Sequence, residues 1–239
     1  MNSAEEKNTL TSELTGEDLK KIEEIAAGID LDSASQILQY GASCQQKIET
    51  FSDAVLNNIR EKDMGKISGL IAELADEIKN VSYRRRKKHM EKIEENVDTM
   101  TAMLYDHQNM LLEETIRLRK FYQENLSYYK ELTLYIEAGK KKLEETQGGQ
   151  LRGNFEKKLH DLEVSRLICV QMAAQLDLIR SNNIAVSDKI QAVLKNTIPL
   201  WKNRIATSIG VEDASENNGQ LISALDDMLR AQKERSECI

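Results

Sequence analysis

From Met90 to Tyr135 the chain repeats its seam residues at alternating steps of three and four with no breaker. The seam runs Met90, Ile93, Val97, Met100, Leu104, His107, Leu111, Glu114, Leu118, Phe121, Asn125, Tyr128, Leu132 and Tyr135. A seven-residue repeat keeps one helix face turned to a partner and predicts left-handed supercoiling. A strand, with its period of two, would scatter the same residues over both faces. As one helix, residues 90–138 would extend about 70 Å at 1.5 Å per residue. Three seam positions are polar: His107, Glu114 and Asn125. Such residues set register or partner number at some loss of stability. His107 and Glu114 are two turns, about 10 Å, apart, which is too far to share one metal ion unaided.

The rest of the composition agrees with helices. Aromatics make up 5% of the 239 residues and charged residues 31%, and Pro199 is the one proline. No stretch has the Val, Ile, Thr and aromatic enrichment between turn residues that marks strands. The fold class expected is all-α, an elongated antiparallel helical bundle or coiled coil with long helices. A net charge of −7 makes general nucleic-acid binding a poor expectation. Cys44, Cys169 and Cys238 are far apart and form neither a CxxC pair nor a disulfide framework. They read as reduced thiols, which together with the absence of a signal-peptide pattern or a long apolar run points to the cytoplasm.

Residues 1–14 are polar and are expected to be disordered. Thr15 and Asp18 then resemble a helix start, with Leu19, Ile22, Ile25 and Ala26 as its apolar face and Gly28 as its stop. Ser33 and Gln36 have capping-box spacing. The helix they open carries a seam at Ile37, Gly41, Cys44, Ile48, Phe51 and Val55, where Gly41 would let another helix approach closely. Cys44 on that seam reads as a packed core thiol. Met64, Ile67, Ile71, Leu74 and Ile78 repeat the pattern, so 33–80 reads as a helical hairpin. The basic run Arg84, Arg85, Arg86, Lys87 and Lys88 could meet phosphates, acidic headgroups or an acidic partner. A solvated connector or helix start is the simpler reading.

Glycines 148, 149 and 153 in ETQGGQLRGN mark a reversal, after the long helix 90–146. A returning helix from Phe155 should bury a wide face: Phe155, Leu159, Leu162, Leu167, Ile168, Met172, Leu176 and Ile179. Ser181, Asn182 and Asn183 interrupt its helix formers. Pro199 should kink or break the helix near 196–198, with Leu200, Trp201 and Ile205 packing beyond it. The segment 212–220 reads as a polar linker, followed by a short amphipathic helix on Leu221, Ile222, Leu225, Met228 and Leu229, and a loose tail. The segments are thus 1–14, a helical domain 15–212, in which the returning helices occupy 155–210, and a linker with a short helix over 213–239.

No phosphate-binding loop, dinucleotide fingerprint, nucleophile elbow or HExxH occurs. The Glu-x-x-His pairs of di-iron bundles are also missing. His89, His107 and His160 are widely spaced, and the neighbouring carboxylates are of the kind common on solvated helices. No catalytic residue, metal site or cofactor is expected, and the chain is not expected to be an enzyme.

Several stretches resemble the toxic anion resistance family, whose namesake is TelA. They are DLDSASQILQYGASCQQKIETFSDAVLNNI at 30–59, NLSYYKELTLYIEAGKKKLEE at 125–145, LHDLEVSRLICVQMAAQLDLIRSNN at 159–183 and VLKNTIPLWKNRIATSIGVE at 193–212. The QYG, YIEAGKKKL and IPLWKN elements are the specific ones, and the resemblance covers about residues 30–212. Family members are longer, and this chain reads as shortened around 80–84, at 147–153 and after 212. The resemblance implies a bacterial cytoplasmic protein linked to tellurite resistance and envelope stress, found beside other tellurium-resistance-type proteins. It carries no catalytic residues. The matched positions it singles out for packing or partner binding are Gln39, Tyr40, Gly41, Tyr135, Gly139, Arg166, Gln171, Gln175, Pro199, Trp201 and Lys202.

The functional expectation is a non-enzymatic helical scaffold of that family, with protein partners and self-association. Two alternatives stand beside it. In one, Cys44 and Cys169, with Arg166 or Arg180, bind or detoxify the oxyanion or a metal ion. In the other, Arg84–Lys88 attach the protein to a membrane surface.

Overall fold

The computed structural model describes residues 14–60, 69, 86–146, 148–207 and 214–237. Every regular element among them is helical: α1 (Gly16–Ala27), α2 (Ala34–Gln39), α3 (Ala42–Arg60), α4 (Arg86–Glu145), α5 (Arg152–Ala192), α6 (Ile198–Thr207) and α7 (Ala214–Glu237). A π-turn, Val193–Thr197, joins α5 to α6. The expected disorder of 1–14 and the second arm of the 33–80 hairpin fall mainly on residues outside the described set. The chain gathers into two compact units, one of residues 1–58 and 119–177, the other of residues 59–118 and 178–239.

In the first unit, α1 is fixed by its first turn. Thr15 caps the helix, accepting from Asp18 N–H at 3.3 Å, and its own N–H donates to Asp18 Oδ2 at 3.0 Å. This reciprocal box satisfies two helix-terminal donors. The same carboxylate reaches Lys130 of α4 at 2.9 Å, and Asp18 is buried. Ile22 and Ala26 pack on Leu134 and Ala138. Leu19, expected on the apolar face, is 52% exposed, and the buried Asp18 stands beside that face in its place. Ser33 caps α2 by accepting from Gln36 N–H, while Gln36 Oε1 turns to Asp30 N–H.

The seam on α3 is buried as its spacing requires: Cys44, Ile48, Phe51 and Val55. Phe51 meets Phe121 and Tyr128 edge to face, with ring centroids 5.8 and 5.4 Å away. The helix is not continuous with α2, however. The chain turns left-handed at Gly41, with φ +64°, and one expected helix becomes two.

The central seam follows the repeat closely. Val97, Met100, Leu104, His107, Leu111, Glu114, Leu118, Asn125 and Leu132 are all buried. Within the first unit α4 and α5 run antiparallel, and Asn125 Nδ2 donates to the Cys169 carbonyl at 2.8 Å. The reversal between them sits at the glycine-rich segment. Gly149 adopts φ +129°, and a Cβ there would stand 3.1 Å from Leu31 Cβ. Arg152 closes the end of α4: its Nη1 donates to the carbonyls of Leu143 at 2.9 Å and Thr146 at 2.5 Å. A cation on the last carbonyls answers both their missing donors and the helix dipole.

The wide apolar face expected on α5 is narrower than its composition suggests. Phe155, Leu159, Leu162, Met172, Leu176 and Ile179 are buried, whereas Leu167 is 55% and Ile168 40% exposed. Ser181, Asn182 and Asn183 do not interrupt the helix, and Asn183 is fully buried.

In the second unit, Val97, Met100, Leu104 and Leu111 pack with Val186, Ile190, Trp201, Leu221, Leu225 and Met228. Pro199 does not take the chain out of helical conformation: a π-turn, Val193–Thr197, stands where the kink or break is expected. The turn before it widens, and Ile198 N–H reaches back to the Val193 carbonyl. A wider turn relieves the clash that the pyrrolidine ring makes with the preceding turn of an α-helix. Trp201 packs in the core, but Leu200 is 48% exposed. Residues 214–220, expected in a linker, and most of the expected loose tail belong to α7. Apolar anchors at Leu221, Leu225, Met228 and Ala231 carry helix to both sides, since propagation from a packed turn is easy once it is nucleated.

Candidate functional site: the cleft around Gln39, Tyr40 and Gly41

Four of the positions singled out in the sequence meet in the first unit. Gly41 lies between α2 and α3 in a left-handed conformation that L-residues enter only at a cost of about 1–2 kcal/mol. It also faces Leu162 of α5: a Cβ at Gly41 would lie 2.7 and 2.9 Å from the two methyls of that side chain. Absence of a side chain is therefore needed twice, for the turn and for the approach. The turn places Tyr40 between Tyr135 and Phe155, edge to face with each, at centroid distances of 5.3 and 5.0 Å. The Tyr40 hydroxyl donates to the Tyr135 carbonyl at 2.5 Å. One turn along α4, Gly139 admits Leu159 of α5, whose Cδ2 would stand 2.3 Å from a Cβ. The QYG and YIEAG elements thus form one joint.

The chemistry of this joint is quiet. Burial raises the pKa of the Tyr40 phenol, and burial likewise raises that of Tyr135. Burial, then the neighbouring Glu131 carboxylate, pushes the Cys44 thiol up to about 12. Burial pushes Cys169 up to about 11. Both thiols stay protonated at neutral pH, the form that is neither nucleophile nor metal ligand. Among the described residues, no group of three or more His, Cys, Asp or Glu side chains is placed to hold a metal ion.

Beside the joint opens a cleft of about 350 Å³. Tyr40, Tyr135 and Phe155 line it together with Gln39, Glu24 of α1 and Asp30 of the α1–α2 loop. Its volume is at the lower end for small-ligand pockets.

The remaining positions lie elsewhere. Arg166 is half-buried on α5, and Gln171 and Gln175 stand exposed on the same helix. From Val164 to Gln175 the exposed side chains of α5 are Val164, Leu167, Ile168, Val170, Gln171, Ala174 and Gln175, and none is charged. Pro199, Trp201 and Lys202 belong to the second unit, where Lys202 pairs with Asp98. Arg84 and Arg85 lie outside the described residues. Arg86, Lys87 and Lys88 open α4, and their side chains are outside the described set as well. Sequence reasoning missed Glu24, Asp30 and Phe155 as cleft residues, because no local period links positions on different elements. It found Asp18 as a cap but not as Lys130's partner for the same reason.

The family model for toxic anion resistance protein (TelA) matches residues 22–153 and 149–231. The chain belongs to the TelA family. Its two matched segments meet at 149–153, the glycine-rich reversal that also reads as shortened. A TelA-like protein of Staphylococcus epidermidis is 28% identical over 247 aligned residues, covering 84% of this chain and 66% of the relative. A protein of Listeria monocytogenes is 28% identical, covering 92% of this chain and 70% of its own length. The YaaN protein of Bacillus subtilis is 27% identical, covering 84% and 64%. The chain therefore spans about two thirds of the length of these curated relatives. Because 84% of 239 residues is about 201, some 46 of the 247 aligned positions have no counterpart in this chain. No solved structure matches it. Among the described residues no helix is long and apolar enough to cross a membrane.

Proposed function

We propose that this TelA-family chain is a non-enzymatic helical scaffold that works in the bacterial cytoplasm by binding proteins, its own copies included, during toxic-anion or envelope stress. The observation that carries the reading is the uncharged exposed face of α5 from Val164 to Gln175. In a chain that is 31% charged, a solvated helix would be expected to place charges there. Seven exposed positions without one fit a helix surface that is covered part of the time. Val164, Leu167, Gln171 and Ala174 keep the three-and-four spacing that a partner helix would read. Two protonated, buried thiols and a quiet aromatic joint favour binding over direct chemistry on an oxyanion.

The test is light scattering of the full chain beside the Leu167→Glu/Ile168→Glu variant, with tellurium-resistance-type proteins added in turn. The expected result is a complex, with itself or with an added protein, that the charged variant loses while its helical content is unchanged. Wild type that remains a monomer with every addition would refute the scaffold reading.

A further inference from the structure

The cleft beside Tyr40 has a lining that selects one sign of charge. Glu24 and Asp30 bring two carboxylates, one from the last turn of α1 and one from the loop after it, and among the described residues no Lys, Arg or His lines the cleft. Both carboxylate residues are exposed at the mouth. Deeper in, Tyr40 and Tyr135 are half-buried and Phe155 is fully buried, three aromatic rings within one small volume. The Gln39 side chain supplies a neutral amide at the edge. An anion entering here would meet two negative groups, with no cation among the described lining residues to offset them, and would lose its own hydration. An organic cation meets the opposite conditions. Its charge faces the carboxylates, its alkyl part and its charge both suit aromatic rings, and a side-chain-sized group fits about 350 Å³.

We propose that this cleft is a binding site for a guanidinium or primary ammonium group carried on a short alkyl chain. Two sources offer that chemistry: an arginine or lysine side chain of a protein, and a free diamine. The site goes beyond the scaffold reading, since it lies apart from the α5 residues on which that reading rests, and charging Leu167 and Ile168 leaves its lining intact.

Calorimetry on the full chain tests it, with N-acetyl-argininamide as the probe for a protein side chain and putrescine as the probe for a free diamine. At least one should bind one to one, and Glu24→Gln/Asp30→Asn, which neutralises both carboxylates, should weaken it by about tenfold or more. The variant Glu17→Gln/Glu49→Gln removes the same net charge from exposed positions outside the cleft lining and should bind as wild type does. Binding of the arginine probe alone assigns a protein side chain, and binding of putrescine alone assigns a free amine. The proposal fails if neither probe binds, if both charge variants weaken binding equally, or if tellurite displaces the bound cation.

Discussion

Substituting Gly41 by alanine should destabilise the first unit more than any other single methyl group placed on a glycine. Two separate penalties add. The φ of +64° costs an alanine about 1–2 kcal/mol. The new Cβ also falls 2.7 and 2.9 Å from the methyls of Leu162, a side chain with no solvent exposure that packs in the core of the first unit. Overpacking of that kind costs about 1–3 kcal/mol. The sum is about 2–5 kcal/mol, and no helix-propensity gain offsets it because Gly41 lies between helices. Urea unfolding followed by circular dichroism reads the loss as a lower midpoint. A double-mutant cycle then separates the penalties. Leu162→Ala alone should cost about 2–5 kcal/mol for its cavity. Combined with Gly41→Ala it should recover the overpacking part, a favourable coupling of about 1–3 kcal/mol, and leave the backbone part in place. A Gly41→Ala chain within about 0.5 kcal/mol of wild type, the scatter of ordinary surface changes, would refute the reasoning. Additivity with Leu162→Ala would refute its steric half.

Four further outcomes follow from the same structure. Gly139→Ala gains about 1 kcal/mol of helix propensity but meets Leu159 at 2.3 Å, so urea unfolding should show a net loss of up to about 2 kcal/mol. Gly219→Ala, inside α7 with nothing within 4 Å of its new methyl, should instead stabilise by up to about 1 kcal/mol. The Lys130 ammonium, with the Thr15 N–H and hydroxyl, holds the Asp18 carboxyl at about 2, below its ordinary 3.8. The stability that group contributes is therefore present above pH 4 and lost as pH falls toward 2. The gap in urea midpoint between wild type and Asp18→Asn should shrink over that window, and a constant gap would count against the pairing. Cys44 and Cys169, buried and held protonated, should resist a thiol reagent at pH 8 and react once urea unfolds the chain, as mass spectrometry of labelled peptides will show.

What the sequence made legible was local. Steps of three and four located the buried seam of α4 from Val97 to Leu132, polar members included, because a helix turns periodicity directly into a face. Thr15, Ser33 and the 148–153 glycines were readable because caps and reversals use residues within a few positions of one another. The departures arise where a choice is made between elements. A proline forbids one hydrogen bond but does not say whether the chain breaks or widens, and here it widens at Val193–Thr197. Gly41 could be a close approach or a turn, and the structure makes it both. Leu167 and Ile168 have core composition, yet their exposure depends on which helices are present to cover them. The cleft draws its lining from positions 24 to 155; periodicity and caps mark several of these as packing or capping residues, and only the family resemblance marks any for partner binding.

The scaffold reading stands or falls on whether the uncharged face of α5 is ever covered. A photo-crosslinking residue at Ile168, in the full chain under tellurite stress, tests this directly, with the same residue at exposed Lys189 as the comparison. The account predicts a single adduct of defined mass from position 168, identified by mass spectrometry as this chain or one partner protein, and none of that mass from position 189. No adduct from 168, or the same diffuse adducts from both positions, would contradict it.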